Sequence, residues 1–196
     1  MRWIACALLA AASGSTFAQD VSGAYIGATV GNLTYTEKAD GLVSTSDFDD
    51  NGSTYRLYGG YRLGRRLALE LGYAKSDGIT DTVDLDIGGV VPVDITSDFS
   101  ITTARALMHF PVNAERLPFV SLSFFLGAGV YDTNVDSTGT AGQQNLAFSS
   151  NEDGSTALLG LQVDFPKVSV RGEYEWFDTE SNVDLWTAGV GFIFRF

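Results

Sequence analysis

Cysteine and histidine are almost absent from this 196-residue chain, which has one of each, Cys6 and His109. A single cysteine excludes an intrachain disulfide. Basic residues are also scarce, since 12 lysines and arginines face 24 aspartates and glutamates, and the net charge of −12 argues against nucleic acid as a partner. Beyond the N-terminal segment, no run approaches the roughly 18 apolar residues that a transmembrane helix needs. Only a closed β-barrel could therefore span a bilayer.

The N-terminal segment has the layout of a secretory signal peptide. Arg2 precedes an apolar stretch, residues 3–12, and small residues follow up to Ala18. This order predicts a signal peptide over residues 1–18 with cleavage after Ala18. Cleavage would remove Cys6, so the mature chain would have no thiol chemistry. Residues 19–196 have the length of one domain, and no linker divides them.

Alternation of apolar with polar or small residues is the main pattern of the remaining chain. It is clearest at the C-terminus, where apolar or aromatic residues occupy every second position from Trp186 to Phe196. A strand of about 9–11 residues, tilted by about 45°, crosses the apolar core of a bilayer. The alternation recurs in eight segments, residues 23–35, 54–63, 67–76, 99–110, 119–131, 155–165, 168–176 and 186–196. The sequence therefore predicts an all-β fold, an eight-stranded antiparallel up-and-down transmembrane β-barrel.

The connections between these segments alternate between short and long, as a meander across a membrane requires. The predicted short turns are residues 64–66, 111–118 and 166–167, and the predicted long loops are residues 36–53, 77–98, 132–154 and 177–184. The long loops are acidic. Within the second, Gly88 and Gly89 separate two alternating stretches, which predicts a hairpin above the membrane with Val83, Leu85 and Ile87 on one face.

The cost of burying charge in lipid decides which face points outward. Arg56, Arg105 and Arg171 on the outer face would each cost about 2–4 kcal/mol near the bilayer midplane. Inside a narrow barrel they can pair with acidic residues, and the glycines leave room for long side chains. The sequence thus predicts a lumen charge network of Arg56, Glu70, Arg105, Arg171, Glu173 and Glu175. It also predicts aromatic girdles, with Tyr73, Phe99, Trp176 and Trp186 at the loop end and Tyr61, Phe110, Phe165 and Phe194 at the turn end.

Five short motifs resemble the small eight-stranded outer-membrane barrels of Gram-negative bacteria, which are similar to the OmpA transmembrane domain. They are GAYIGATVG, YGGYRLG, LELGY, VRGEYEW and the terminal FIFRF. The resemblance implies location in the cell outer membrane and a C-terminal signal for the assembly machinery, formed by Val190, Phe192, Phe194 and Phe196. It also implies an internal gate, for which Glu70 and Arg171 match by motif and Arg105 matches the base on the fourth strand.

Two functions remain open at this point. The first is a structural and surface-interaction role through long acidic extracellular loops, with a lumen plugged by internal salt bridges; the second is a narrow porin-like channel for small solutes or ions. A soluble ligand-carrying barrel would need the apolar faces inside. We expect no enzyme and no cofactor, because His109 has no catalytic motif around it. We also expect no metal site, because the loop acids lack a calcium-loop spacing; weak binding of divalent cations by these acids is the alternative. Expected partners are outer-membrane lipid and lipopolysaccharide, and a host or surface protein that binds residues 77–98 of a monomeric barrel.

Overall fold

The computed structural model describes residues 22–37, 48–86, 90–112, 120–141, 144–179 and 183–196, and these residues form nine β-strands. The strands are β1 (Gly23–Glu37), β2 (Phe48–Leu63), β3 (Leu67–Ser76), β4 (Ile79–Asp86), β5 (Val90–Val112), β6 (Ser121–Ala141), β7 (Gln144–Asp164), β8 (Val168–Phe177) and β9 (Val183–Arg195). Among these residues, no helix is long and apolar enough to cross a membrane.

Eight of the strands close into a ring. Their order is β3-β2-β1-β9-β8-β7-β6-β5, every neighbouring pair is antiparallel, and β3 also pairs with β5. The predicted fold class is therefore confirmed. The ninth strand, β4, pairs with the first part of β5 and forms the hairpin predicted within residues 77–98. This segment, predicted as a loop, is thus largely strand.

Several strands are longer than their alternation predicts. β3 has the predicted bounds and 10 residues, but β5 has 23 residues and β6 and β7 have 21 each. The predicted loop over residues 132–154 was wrong for this reason, since most of it is paired strand. Above a membrane both faces of a strand can be polar, so hydrogen-bonded pairing continues where the hydrophobic pattern ends.

The short turn between β2 and β3 depends on a glycine. Gly64 has a φ of +68°, in the left-handed region that other residues rarely adopt. Its amide donates to Ser22 Oγ at 2.9 Å, which ties the turn to the start of β1. The turn end of the barrel is thus fixed at the predicted position.

The apolar faces of the strands point outward, as predicted. Along β3, exposed and buried residues alternate at every position, with Leu69 and Leu71 exposed and Glu70 buried. The outward apolar residues around the ring include Ile26, Val30, Leu57, Met108, Phe110, Leu126, Leu161, Trp176, Val190, Phe192 and Phe194. One girdle prediction was wrong: Phe99 is only 1% exposed, because it shares the inward face of β5 with Ile101 and Thr103.

The inward side chains form successive layers along the barrel axis. On β3 the order from the turn end is Ala68, Glu70 and Ala74. The turn-end apolar cluster consists of Tyr25, Tyr58, Ala68, Leu107, Phe125, Leu158 and Ile193. The loop-end apolar cluster consists of Leu33, Ala74, Ile79, Val83, Phe99, Ile101, Tyr131, Phe177 and Leu185. A charged layer lies between them, and the hairpin strand β4 contributes Ile79 and Val83 to the loop-end cluster.

Some predictions fall on residues that the structure does not describe. The signal peptide over residues 1–18, residues 38–47 of the first long loop, the Gly88-Gly89 turn and residues 113–118 of the second short turn lie outside the described ranges.

Candidate functional site in the barrel lumen

The six charged residues of the predicted network meet in one layer of the lumen. β8 supplies three of them, because Arg171, Glu173 and Glu175 are two residues apart and share a strand face. The others come one each from β2, β3 and β5, and are Arg56, Glu70 and Arg105. Their charged side chains are at most 5% exposed. Only the closed barrel brings these distant strands together.

Glu70 is bonded through both of its carboxylate oxygens. Arg171 Nη1 donates to Oε1 at 2.6 Å, and the hydroxyl of Tyr25 donates to the same oxygen at 2.7 Å. Arg105 Nη2 donates to Oε2 at 2.9 Å. Such charge-assisted bonds offset the cost of removing a carboxylate from water.

The two glutamates of β8 complete the layer. Glu175 accepts from Arg56 Nη2 through Oε2, from Arg105 Nη1 at 3.0 Å and from Thr156 Oγ1 at 2.9 Å. Glu173 Oε1 accepts from Arg56 Nη1 at 3.0 Å, and its Oε2 lies 3.8 Å from Arg171 Nη1.

These contacts form a closed cycle of alternating charge. Each arginine bridges two glutamates, so the path runs Glu70–Arg105–Glu175–Arg56–Glu173–Arg171 and returns to Glu70. Three positive and three negative groups give this charged cycle a formal charge of zero. A neutral cycle in which every charged side chain contacts two of opposite charge reduces the cost of burying charges in a narrow lumen.

A second polar group, toward the turn end, was not predicted as a network. Asp164 accepts from Gln162 and Ser169 at 2.6 Å each, and it lies 3.2 Å from Arg195 and 3.6 Å from Arg62. These residues occupy the inward face near the turn-end strand termini. Alternation in the sequence gives this shared position, so the group could have been predicted from it. Gln162 Oε1 also accepts from Arg171 at 3.0 and 3.1 Å, so it links this turn-end polar cluster to the charged cycle.

His109 lies on the inward face of β5 and is only 1% exposed. Its ring centre is 5.4 Å from that of Phe125. Its Nδ1 has no hydrogen-bond partner among the described residues. Within the same residues, no three histidines, cysteines or acidic side chains come close enough together to hold a metal ion.

Two small cavities lie beside these polar groups in the lumen. One is lined by Thr29, Arg56, Glu173 and Thr187, and the other by Tyr25, Arg62, His109, Gln162 and Arg171, among others. Each has a volume of about 10 Å³, which is close to the minimum that can hold one water molecule. Several unpartnered atoms, such as Thr29 Oγ1 and His109 Nδ1, belong to their linings.

The residues predicted as an assembly signal lie on the outer face of β9. Val190, Phe192 and Phe194 are each more than half exposed, and Phe196 is 78% exposed. The amide of Phe196 donates to the carbonyl of Ala24 at 3.2 Å, so the last residue is held at the β1–β9 seam.

A closed antiparallel ring with an apolar exterior and a paired, charged interior defines a transmembrane β-barrel. The family model for the outer membrane protein beta-barrel domain matches residues 4–196. The chain belongs to this family, and it is located in the cell outer membrane.

Solved structures of small outer-membrane barrels are similar to the chain in fold. OprG from Pseudomonas aeruginosa has a TM-score of 0.56 at 16% identity, over 89% of this chain and 96% of that one. Neisserial surface protein A has a TM-score of 0.54 at 17% identity, over 89% and 98%. Ail, the attachment invasion locus protein of Yersinia pestis, crystallised with the heparin analogue sucrose octasulfate, has a TM-score of 0.53 at 16% identity, over 89% and 99%. A search of curated proteins finds no match.

Proposed function

We propose that the chain is a non-conducting outer-membrane barrel that acts at the cell surface through the sheet that β4, β5, β6 and β7 extend beyond the membrane. The observation that carries this proposal is the position of β4. It is the last strand in the sheet order and, among the described strands, pairs only with β5, while its other edge lies beside the loop-end part of β2 without strand pairing. An edge strand of this kind can add a strand from another protein.

The lumen side chains support a blocked pore. The charged cycle has no net charge, and apolar clusters lie on both sides of it. A hydrated ion would have to break paired charges and also cross apolar layers, and both steps are costly. The alternative function, a conducting pore with a charged gate, would require the charged cycle to be the sole barrier in the lumen.

The outer face of the extended sheet supports a role in recognition. Hydroxyl and carboxyl side chains lie in register across the strands there, with Thr80 opposite Thr96 and Thr96 opposite Thr138. Thr82 Oγ1 donates to Asp94 Oδ1 at 2.6 Å. A broad polar face next to an edge strand is suited to contact with a protein surface.

The charge of the chain restricts its partner. Ail was crystallised in complex with a heparin analogue, sucrose octasulfate, which is a polyanion. This chain has a net charge of −12, and its extended sheet presents exposed acids such as Asp94, Asp98 and Asp136. Repulsion between like charges disfavours a sulfated polyanion, so we propose a neutral or basic protein surface as the partner.

We also propose that the chain is not an enzyme and that it acts as a monomer. The position of His109 against Phe125, inside the barrel, supports the first statement because a substrate in the membrane or medium cannot reach it.

Planar-bilayer recording tests whether the lumen conducts ions. We expect no stepwise current from the wild-type barrel or from Glu70→Ala, since the apolar clusters remain in place in the variant. A current that appears only in Glu70→Ala would instead make the charged cycle a gate, and the chain a narrow channel.

The surface role is tested on cells of a non-adherent strain that display the barrel. We expect them to bind host-cell or bacterial surfaces, and deletion of residues 82–95 to abolish binding at equal surface display. Intact binding after the deletion would refute the role of β4.

A further inference from the structure

The outer wall of the barrel has an open apolar groove that the proposed function does not use. It crosses β3, β2, β1 and β9 and has a volume of about 810 Å³. Its outward-facing lining residues are Ile26, Ala28, Leu57, Gly59, Leu71, Tyr73, Phe192 and Phe194. The groove therefore lies within the surface that contacts membrane lipid.

Strand register explains the shape of the groove. One row of neighbours across the four strands is Tyr73, Leu57, Ala28 and Phe192, and the next row toward the turn end is Leu71, Gly59, Ile26 and Phe194. Ala28 and Gly59 are the small members and lie diagonally beside each other, so they form the floor. The larger side chains around them form the walls.

Packing of the barrel does not require a glycine at position 59. A Cβ atom on Gly59 would meet only the carbonyl oxygen of Tyr25, at 3.8 Å. By contrast, a Cβ on the adjacent inward Gly60 would lie 2.6 Å from the carbonyl oxygen of Leu69. The room at Gly59 thus opens toward lipid and can accept an atom from outside.

A positive charge lies at the loop end of this groove. The next row of outward residues is Lys75, Tyr55, Val30 and Val190. Lys75 is exposed, and among the basic residues that the structure describes it is the one on the outer wall toward the loops. Tyr55 and Tyr73 flank it, as aromatic residues do at the level of lipid headgroups.

We propose that this groove binds an acyl chain of a phosphorylated lipid of the outer leaflet, the chemistry of lipopolysaccharide, with Lys75 contacting its phosphate. The charge at the loop end matches an anionic headgroup, and the groove directly below it matches the chain attached to that headgroup. The proposal is independent of the surface role of β4.

A second copy of the barrel fits this surface less well. A two-fold axis along the membrane normal would place one groove against the other and leave a void between them. It would also bring the two Lys75 ammonium groups to the same depth, where they repel each other. The lipid is therefore the occupant that both shape and charge favour.

The experiment measures lipid retained by the full-length barrel, isolated from outer membranes in mild detergent, by native mass spectrometry with added lipid A. Gly59→Phe would fill the groove, and we expect about tenfold less bound lipid because the acyl chain loses its van der Waals contacts. Gly172→Phe is the matched control, since Gly172 also faces outward and its Cβ would meet nothing within 4 Å. Heat-modifiable gel mobility checks folding, and Ala28→Leu fills the same groove if Gly59→Phe does not fold.

The headgroup contact is tested separately. We expect Lys75→Ala to weaken retention of lipid A about fivefold and to leave retention of dephosphorylated lipid A unchanged. Lys167→Ala, at the turn end, is the control and should have no effect. Equal retention by the Gly59 and Gly172 variants would overturn the proposal. A cross-linked dimer that only Gly59→Phe abolishes would also overturn it, in favour of a second copy.

Discussion

Glu70 and Arg105 lie directly opposite each other on β3 and β5, and Arg105 Nη2 donates to Glu70 Oε2 at 2.9 Å. These two barrel strands are connected through the hairpin strand β4, and the ion pair joins them inside the lumen. Both side chains are fully buried.

Replacing Glu70 by Gln tests the energetic role of the charged cycle. Arg105 and Arg171 would each lose a charged partner inside the lumen, and we expect the free energy of unfolding to fall by about 3 kcal/mol. Urea titration in lipid vesicles, followed by tryptophan fluorescence, measures the change. The double variant Glu70→Gln/Arg105→Gln should lose less than the sum of the two single losses. Strict additivity would show that the pair is not coupled.

Two glycines on neighbouring strands should respond differently to valine. A Cβ on Gly160 would come within 3.0 Å of the Phe125 ring inside the lumen, whereas Gly172 has open space outside. We expect Gly160→Val to destabilise the barrel by about 1–3 kcal/mol and Gly172→Val to be tolerated. The same urea titration distinguishes them, and equal losses would contradict the inward and outward assignments.

Docking of the hairpin on the barrel depends on Val83. This residue is 4% exposed within the loop-end apolar cluster, while Thr80 on the same strand is exposed. We expect Val83→Asp to release the hairpin, because an unpaired carboxylate cannot stay in that cluster. Limited proteolysis of the folded barrel should then cut within residues 77–98. Thr80→Asp is the control and should leave the hairpin as resistant as in the wild type.

Two aspartates on the extended sheet should weaken the pairing of their strands. Asp98 and Asp136 lie directly opposite each other on β5 and β6, and both are exposed. Like charges in that arrangement repel. We expect Asp136→Asn to raise the melting temperature slightly at low salt and the gain to shrink as salt screens the charges. A gain that is independent of salt would point to a different cause.

Phe196 should matter for assembly more than for stability. Its ring is 78% exposed, so replacing it with serine removes few contacts within the barrel. We expect Phe196→Ser to lower the amount of barrel inserted in cells, while refolding into lipid vesicles in vitro proceeds as in the wild type. Normal insertion in cells would remove Phe196 from the proposed assembly signal.

The alternation of side chains predicted most of the membrane part of the fold. The lipid side and the lumen side of a strand differ in polarity at every step, so the bounds of β3 and the inward position of Glu70 follow from the local pattern. The girdle prediction failed at Phe99, which alternation itself places on the inward face with Ile101 and Thr103. An aromatic ring is equally suited to a membrane interface and to an apolar cluster, so its type alone does not decide its side.

The partners within the lumen could not be predicted in the same way. Arg56 and Glu175 are 119 residues apart in sequence, and their contact depends on where the ring places β2 relative to β8. The members of the turn-end polar cluster around Asp164 could have been found by their inward positions, but their pairing with one another depends on the ring in the same way.

The sequence by itself determined the strand faces, the inward charges and the family, because each depends on residue type at a spacing of two. Tertiary structure alone decided the closed cycle of ion pairs, the docking of β4 on the loop-end apolar cluster and the groove at Gly59. Each of these depends on strand register and ring closure, which join residues that have no local relationship in the chain.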